Sequence, residues 1–444
     1  MSIKRSLIKN TGFNLAGYVY LLLASFFSIS ILLQNLGRDV FGVYILLVSF
    51  ISLSSVFDFG ISSAVVRRLS LPDATREDKI KTWKTSFSIF IAIAFILFVT
   101  VSCLLLYLIK SMPIFSHIDS GVLNWSTLIL AIIVFVNFIN NHFLNLPQAE
   151  QRFDIFNSKT LLVGSANTII SALVSSVYPN IAIILGVQLI FHLLTSAYIT
   201  SYALKIFSGN DFGPHYDTKT GKELFSFGLK NFIGTLAGQL ESQFSNFILG
   251  AMVSAQAITA FNIPQSIVTK GAGVVSQFAQ AFFPLSTSLL SRDRIKKLRQ
   301  LVLGLQALVL AGGILAVVLT FTVGEAFLTW WLKDPVVIQT SYPVLKVLSF
   351  YFLLVSLTPI PTALVQGLNK PQIPSMFAVL TVFVEVTASF YFVPRFGALG
   401  VAYAFLLATI ISVPGFLATS WILLSREIFN LHSYPETTLD TNHV

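Results

Sequence analysis

Asn137, Asn141 and Asn145 recur every fourth residue, the spacing that puts side chains on one stripe of a helix, with Asn140 beside them. An amide both donates and accepts hydrogen bonds, so such a stripe suits a hydroxyl-rich ligand. It suits equally well the joining of one helix to another in apolar surroundings. Lys270, next to Gly271 and near Gly273, falls in the middle of an apolar run. A lone charge there costs about 3 kcal/mol on insertion scales. Its chemistry is the neutralisation of an anion, or pairing with a carboxylate such as Glu241. Lys230 and Glu241 stand eleven residues apart, which on a helix brings them within about 20° of one face and roughly 16 Å along the axis. Gln239, Gln243 and Asn246 make that run unusually polar. Lys230 also suits an interfacial anchor. Glu241 and Glu385, both in mid-run, have the chemistry to take up a proton or a cation; Glu241 suits a hydrogen bond to a neighbouring helix as well.

A second group lies at the ends of apolar runs. Asp58 precedes Arg67 and Arg68, an arrangement expected to form an ion pair or a gate, and Arg38-Asp39 reads the same way at the opposite mouth. His142 reads as structural. No serine, histidine and aspartate, and no pair of carboxylates, falls on one credible catalytic site. The six histidines lack metal-ligand spacing. Cys103 is the single cysteine, which excludes an intrachain disulfide and a cysteine-based metal site. There is no phosphate-binding P-loop. An enzyme is not expected, and neither is a cofactor or a metal.

What must position these side chains follows from composition. Of 444 residues, 55% are hydrophobic and 11% charged, with a mean hydropathy of +0.80. A soluble globular chain carries about 25% charge, so most of this surface must face lipid. Runs long enough for a helical crossing lie near 12–34, 40–66, 85–109, 122–146, 155–178 and 180–204. Six more lie near 224–250, 255–289, 300–323, 341–366, 372–393 and 398–424. About twelve spans result, in an all-α polytopic membrane protein. The weakest is 255–289, interrupted by Pro264, Lys270, Gly271, Gly273 and Pro284; 325–340 reads as a short interfacial piece, and Trp330-Trp331 as part of a headgroup belt. The basic N-terminus reads as a retained first helix rather than a removed leader.

The net charge of +9 is carried mostly by short segments on one side, among them Lys4, Arg5, Arg67, Arg68, Arg76, Lys79, Arg152, Lys219 and Arg292. Arg38, Lys110, Lys333, Lys346 and Arg395 alone fall on the other. That asymmetry puts both termini in the cytoplasm and argues against nucleic acid as a partner.

The chain is also duplicated. Lys9-Asn-Thr-Gly-Phe-Asn-Leu-Ala-Gly17 returns as Lys230-Asn-Phe-Ile-Gly-Thr-Leu-Ala-Gly238. Asp78-Lys-Ile-Lys81 returns as Asp293-Arg-Ile-Lys296, and Gln148, Arg152 and Ile155 as Gln366, Lys370 and Ile373. Each pair falls on the same side of the membrane, so the halves are parallel repeats, an N-terminal six-helix lobe over 1–215 and a C-terminal one over 216–444. Two such lobes imply transport by alternating access, with a site between them near the midplane.

Three stretches carry a resemblance. Leu36-Gly-Arg-Asp-Val-Phe-Gly-Val-Tyr44, then Phe57-Asp-Phe-Gly60 with Arg67-Arg68, is similar to the opening of Wzx-type polysaccharide (O-antigen) flippases of the multidrug/oligosaccharidyl-lipid/polysaccharide (MOP) exporter superfamily. Pro394-Arg-Phe-Gly-Ala-Leu-Gly-Val-Ala-Tyr-Ala404 resembles that family's turn between its last two helices. The resemblance implies a MATE-like fold in the bacterial inner membrane. The implied cargo is an undecaprenyl-pyrophosphate-linked oligosaccharide, moved from the cytoplasmic to the periplasmic leaflet for lipopolysaccharide or related polysaccharide biosynthesis. It also implies work beside a polysaccharide polymerase machinery, with a proton or sodium ion as coupling partner. On that reading Lys270 and Lys230 meet the pyrophosphate and the asparagines meet sugar hydroxyls. The rival reading is an ion-coupled multidrug exporter of the same superfamily, whose cationic cargo would favour Glu241 and Glu385.

Overall fold

The computed structural model describes residues 3–288, 295–368 and 370–433; side chains at 3–16, 230–231, 233–235, 242, 280–288, 295–297 and 426–433 lie outside the description. Among the described residues every regular element is helical. The first helix, α1 (Ile3–Ser54), is really two: Gly37 adopts φ 74° and ψ 162°, a conformation open essentially to glycine alone, and separates the first two expected spans. A second break follows at Phe59 and Gly60, both left-handed, before α2 (Ile61–Leu69).

Caps set the later starts. Thr75 and Asp78 form a capping box at α3 (Arg76–Ser111), which stops where Pro113 removes a backbone donor. Asp119 caps α4 (Ser120–Ala149) and Asn180 caps α7 (Ile181–Ile206). Between them run α5 (Phe153–Ser165) and α6 (Ser171–Val177), joined by one π turn. Asp217 caps α8 (Thr218–Met252) by accepting the Thr220 N–H at 2.7 Å, and that bond holds its carboxyl below the usual range. Then follow α9 (Ala255–Ser288), α10 (Ile295–Leu332), α11 (Pro335–Val355), α12 (Pro359–Gly367), α13 (Gln372–Phe396) and α14 (Ala398–Ser433). The last pair is joined through Gly397, where the sequence placed a turn.

Nine segments among the described residues are long and apolar enough to cross a membrane. One of them is divided by Gly37; α8 and α9, of 35 and 34 residues, complete the twelve but are too polar to qualify on apolarity. Large apolar side chains such as Phe95, Tyr107, Leu308 and Phe383 stand exposed, each more than half uncovered, which only a lipid surround makes favourable. The stretch 325–340 is not a separate interfacial piece: it closes α10 and opens α11. Nor do both tryptophans face outward. Trp331 is buried, stacked on Phe26 at 4.4 Å, and Trp330 alone is exposed.

Packing divides the chain into two compact units, Met1–Ala260 with Trp330–Val337, and Phe261–Thr329 with Ile338–Val444. The helix that opens the second half of the duplicated sequence, α8, packs against α1, α2 and α3 within the first unit. Trp83, fully buried, is that unit's aromatic centre. It lies against His142 at 4.3 Å and Phe207 at 4.9 Å, and its indole N–H reaches the Phe212 carbonyl. The connection that leads out of α7 is thereby tied down onto α3. His142 sits stacked on Phe87 in the same cluster, which is the structural role expected of it.

One backbone turn recurs at the spacing of the repeated sequence. After α4, the Glu150 N–H bonds to the Leu146 carbonyl, Arg152 to Pro147, and Ile155 to Arg152. After α12, at an offset of 218, Leu368 bonds to Leu364, Lys370 to Val365, and Ile373 to Lys370. One turn has been built twice from different side chains.

Candidate functional site

Within the first unit, the part of α1 beyond Gly37 runs beside α8 and the start of α9, with contacts at both ends and between them. At the Gly37 end, Thr259 donates to the Arg38 carbonyl at 2.7 Å and Gln256 to Asp39 Oδ2 at 3.3 Å. Gly42 meets α9 so closely that a Cβ would fall 2.0 Å from the Ala255 carbonyl oxygen. In the middle, the buried Asn246 amide donates to Ser49 at 2.8 Å, and Phe247 meets Phe50 edge to face. Arg38 and Asp39 thus engage α9, and they make no ion pair with each other.

At the far end, Gly60 and Gly228 of α8 touch backbone to backbone. Arg68 bonds Glu223 at 2.5 Å, and the Arg67 guanidinium lies over the Phe227 ring at 4.7 Å. The ion pair expected between Asp58 and an arginine is not formed. Asp58 instead accepts the Ser62 N–H and hydroxyl, both at 3.1 Å, so the arginines are free to reach α8. Sequence reasoning missed Glu223, Phe227 and Gly228. A signal existed: Phe57-Asp-Phe-Gly60 and Phe225-Ser-Phe-Gly228 share a Phe-x-Phe-Gly pattern, and the two glycines are the ones that meet.

The asparagine stripe is divided. Asn145 is 1% exposed and Asn140 fully buried, its amide donating to the His192 carbonyl at 3.2 Å, so these two serve helix packing between α4 and its neighbours. Asn137 and Asn141 are half-buried and keep part of their surface. Gln188 adds a further buried link, donating to Tyr44 and to Ser171, each at 2.8 Å.

Glu241 lies half-buried on α8. Lys230 is on the same helix, and its side chain lies outside the described residues. In the second unit, Lys270 stands half-buried at the middle of α9, next to Gly271, where a Cβ would touch the Phe352 ring at 3.0 Å. That close approach puts the mid-point of α9 against α11. Glu385 on α13 is 1% exposed. Among the described residues no group of histidine, cysteine and carboxylates could hold a metal ion.

Comparison with known proteins agrees with this architecture. The model of the family described as polysaccharide biosynthesis protein matches residues 7–290. The chain is 23% identical over 414 residues to a Shigella flexneri protein named "Putative O-antigen transporter", covering 91% of this chain and 96% of that one. Among solved structures, the lipid II flippase MurJ in an inward closed conformation matches with a TM-score of 0.74 at 15% identity, over 97% of this chain and 94% of that one. An inward-facing multidrug resistance MATE transporter of the MOP superfamily matches with a TM-score of 0.69 at 16% identity, over 94% and 95%. These likenesses show the fold, and with the family match across well over half of the sequence they place the chain, a multi-pass membrane protein of MOP architecture, in the polysaccharide biosynthesis protein family.

Proposed function

We propose that the chain is a flippase that carries an undecaprenyl-pyrophosphate-linked oligosaccharide from the cytoplasmic to the periplasmic leaflet of a bacterial inner membrane by alternating access. The observation that carries this reading is Lys270, a cation kept at the middle of a 34-residue helix in a chain with 11% charge. A charge at that depth is retained where it meets a ligand, a partner or a water-filled path. The S. flexneri relative's name and the lipid II flippase's activity agree with a lipid-linked, sugar-bearing cargo.

On this reading the halves 1–215 and 216–444 are the two lobes, and both termini are cytoplasmic. Lys270, with Lys230, neutralises the pyrophosphate. Asn137 and Asn141 offer donors and acceptors to sugar hydroxyls, and Asn145 supports them from within the packing. Glu241 and Glu385 take up the coupling proton or sodium ion. The contacts of Arg38 and Asp39 with α9, and of Arg67 and Arg68 with α8, act as gates, with Asp58 holding the turn between them. The chemistry asked of these side chains is neutralisation and hydrogen bonding along a path; no bond is made or broken.

Deletion of the gene, followed by a gel of the surface polysaccharide and an assay of lipid-linked repeat units, tests the reading. Loss of long-chain polymer with intact repeat units accumulating on the cytoplasmic side is the expected result. Normal polysaccharide with raised sensitivity to toxic cations would replace it with the multidrug exporter.

A further inference from the structure

We propose that the groove between the first turns of α4 and α7 binds a phospholipid bearing a primary ammonium, of the phosphatidylethanolamine kind. The groove is open to its surroundings, offers about 500 Å³ and lies wholly within the first unit. Asp119 and Asn180, the caps of the two helices, line its polar end, and Val122, Trp125, Ile129 and Ile183 line it along the helices. Trp125 is 63% exposed and Ile183 42%. A polar end that continues into an apolar wall matches a single amphiphile.

Length agrees with a lipid. From Asp119 to Ile129 is ten residues, about 15 Å along a helix, which is half of a hydrocarbon core of about 30 Å. An acyl chain of the leaflet where α4 and α7 begin fits that depth. Tryptophan is the residue that membranes place at this level, with its rings toward the chains and its N–H toward the headgroups.

Charge selects the headgroup. Among the described lining residues the one ionised side chain is Asp119. Its Oδ1 accepts the Val122 N–H at 3.0 Å, leaving the other oxygen for a ligand. An ammonium with three N–H donors pairs with that oxygen; a choline has no N–H to offer, and an anionic headgroup is repelled. Asn180 uses its Oδ1 on the N–H groups of Ala182 and Ile183, at 2.9 and 3.4 Å, and keeps its amide donors for the lipid phosphate. The same repulsion excludes a pyrophosphate-bearing cargo, so this site stands apart from the transport reading and does not depend on it.

The full chain reconstituted in phosphatidylcholine vesicles provides the test, with tail-brominated phosphatidylethanolamine, phosphatidylglycerol or phosphatidylcholine added at equal mole fraction. The fluorescence difference between wild type and Trp125→Phe isolates Trp125. Brominated phosphatidylethanolamine is expected to quench that difference at least about twofold more than the other two, a preference near 0.4 kcal/mol. Asp119→Asn, which still caps the helix, is expected to abolish the preference. Equal quenching by all three lipids, meaning ordinary bilayer solvation only, would overturn the proposal. So would a preference for phosphatidylglycerol, or a phosphatidylethanolamine preference that survives Asp119→Asn.

Discussion

Gly60 and Gly228 each occupy the space that the other's side chain would need. A Cβ on Gly60 would lie 2.4 Å from the Gly228 carbonyl oxygen, and one on Gly228 would lie 2.5 Å from that of Phe59. Two main chains meet here with nothing between them, as small residues permit where membrane helices cross. Gly228→Ala is therefore expected to force α2 and α8 apart and to lower polysaccharide export severalfold at normal membrane expression. Gly186→Ala is the control, since nothing lies within 4 Å of a Cβ at Gly186; export should be unchanged there.

The neighbouring ion pair separates gating from folding. Arg68 and Glu223 are 27% and 49% exposed in their side chains, so their bond adds less than about 1 kcal/mol to stability. Arg68→Glu and Glu223→Arg alone should each impair export with little change in thermal midpoint, and the double reversal should restore it. Equal export by all four proteins would remove the pair from the gate.

At Lys270 the expectation turns on charge rather than shape. Lys270→Ala should reduce export at least about tenfold, a loss of about 1.4 kcal/mol, while Lys270→Arg keeps a measurable fraction. Wild-type export from Lys270→Ala at matched expression would remove the residue from the cargo path.

Glu241 makes its prediction through pH. If the carboxylate takes up the coupling proton, Glu241→Gln should flatten the dependence of transport on external pH that the wild type shows in vesicles. A variant whose rate falls by one constant factor at every pH would assign Glu241 to packing along α8.

Much of this fold was legible from residue types. The breaks at Gly37 and Gly397, the stop at Pro113 and the caps at Asp119, Asn180 and Asp217 are local decisions, made by φ, by a missing N–H or by a side-chain oxygen. The site was less legible, because partner choice is settled by three-dimensional proximity. Asp58 lay close to two arginines in sequence, yet Ser62 satisfied it from one turn away and left them for Glu223 and Phe227. The asparagine stripe was legible only in part. Its spacing promised a single face, but α4 is packed on several sides, and Asn145 fell inside the packing. The Trp330-Trp331 pair shows the same limit: consecutive residues on a helix point about 100° apart, so one faced out and the other stacked on Phe26.

The turn that follows both α4 and α12 has a genealogical consequence. Between its two copies Pro147 has become Val365 and Glu150 has become Leu368, a rigid imide and a carboxylate exchanged for aliphatic side chains, while the same donors still find the same acceptors. The recurrence agrees with the proposal that a coding unit of about half the present length was copied and joined end to end. An even number of crossings returns a chain to the side it left, so the second copy needed no inversion to insert. On that proposal, what the two copies share here is the path of the main chain, with different side chains carried upon it.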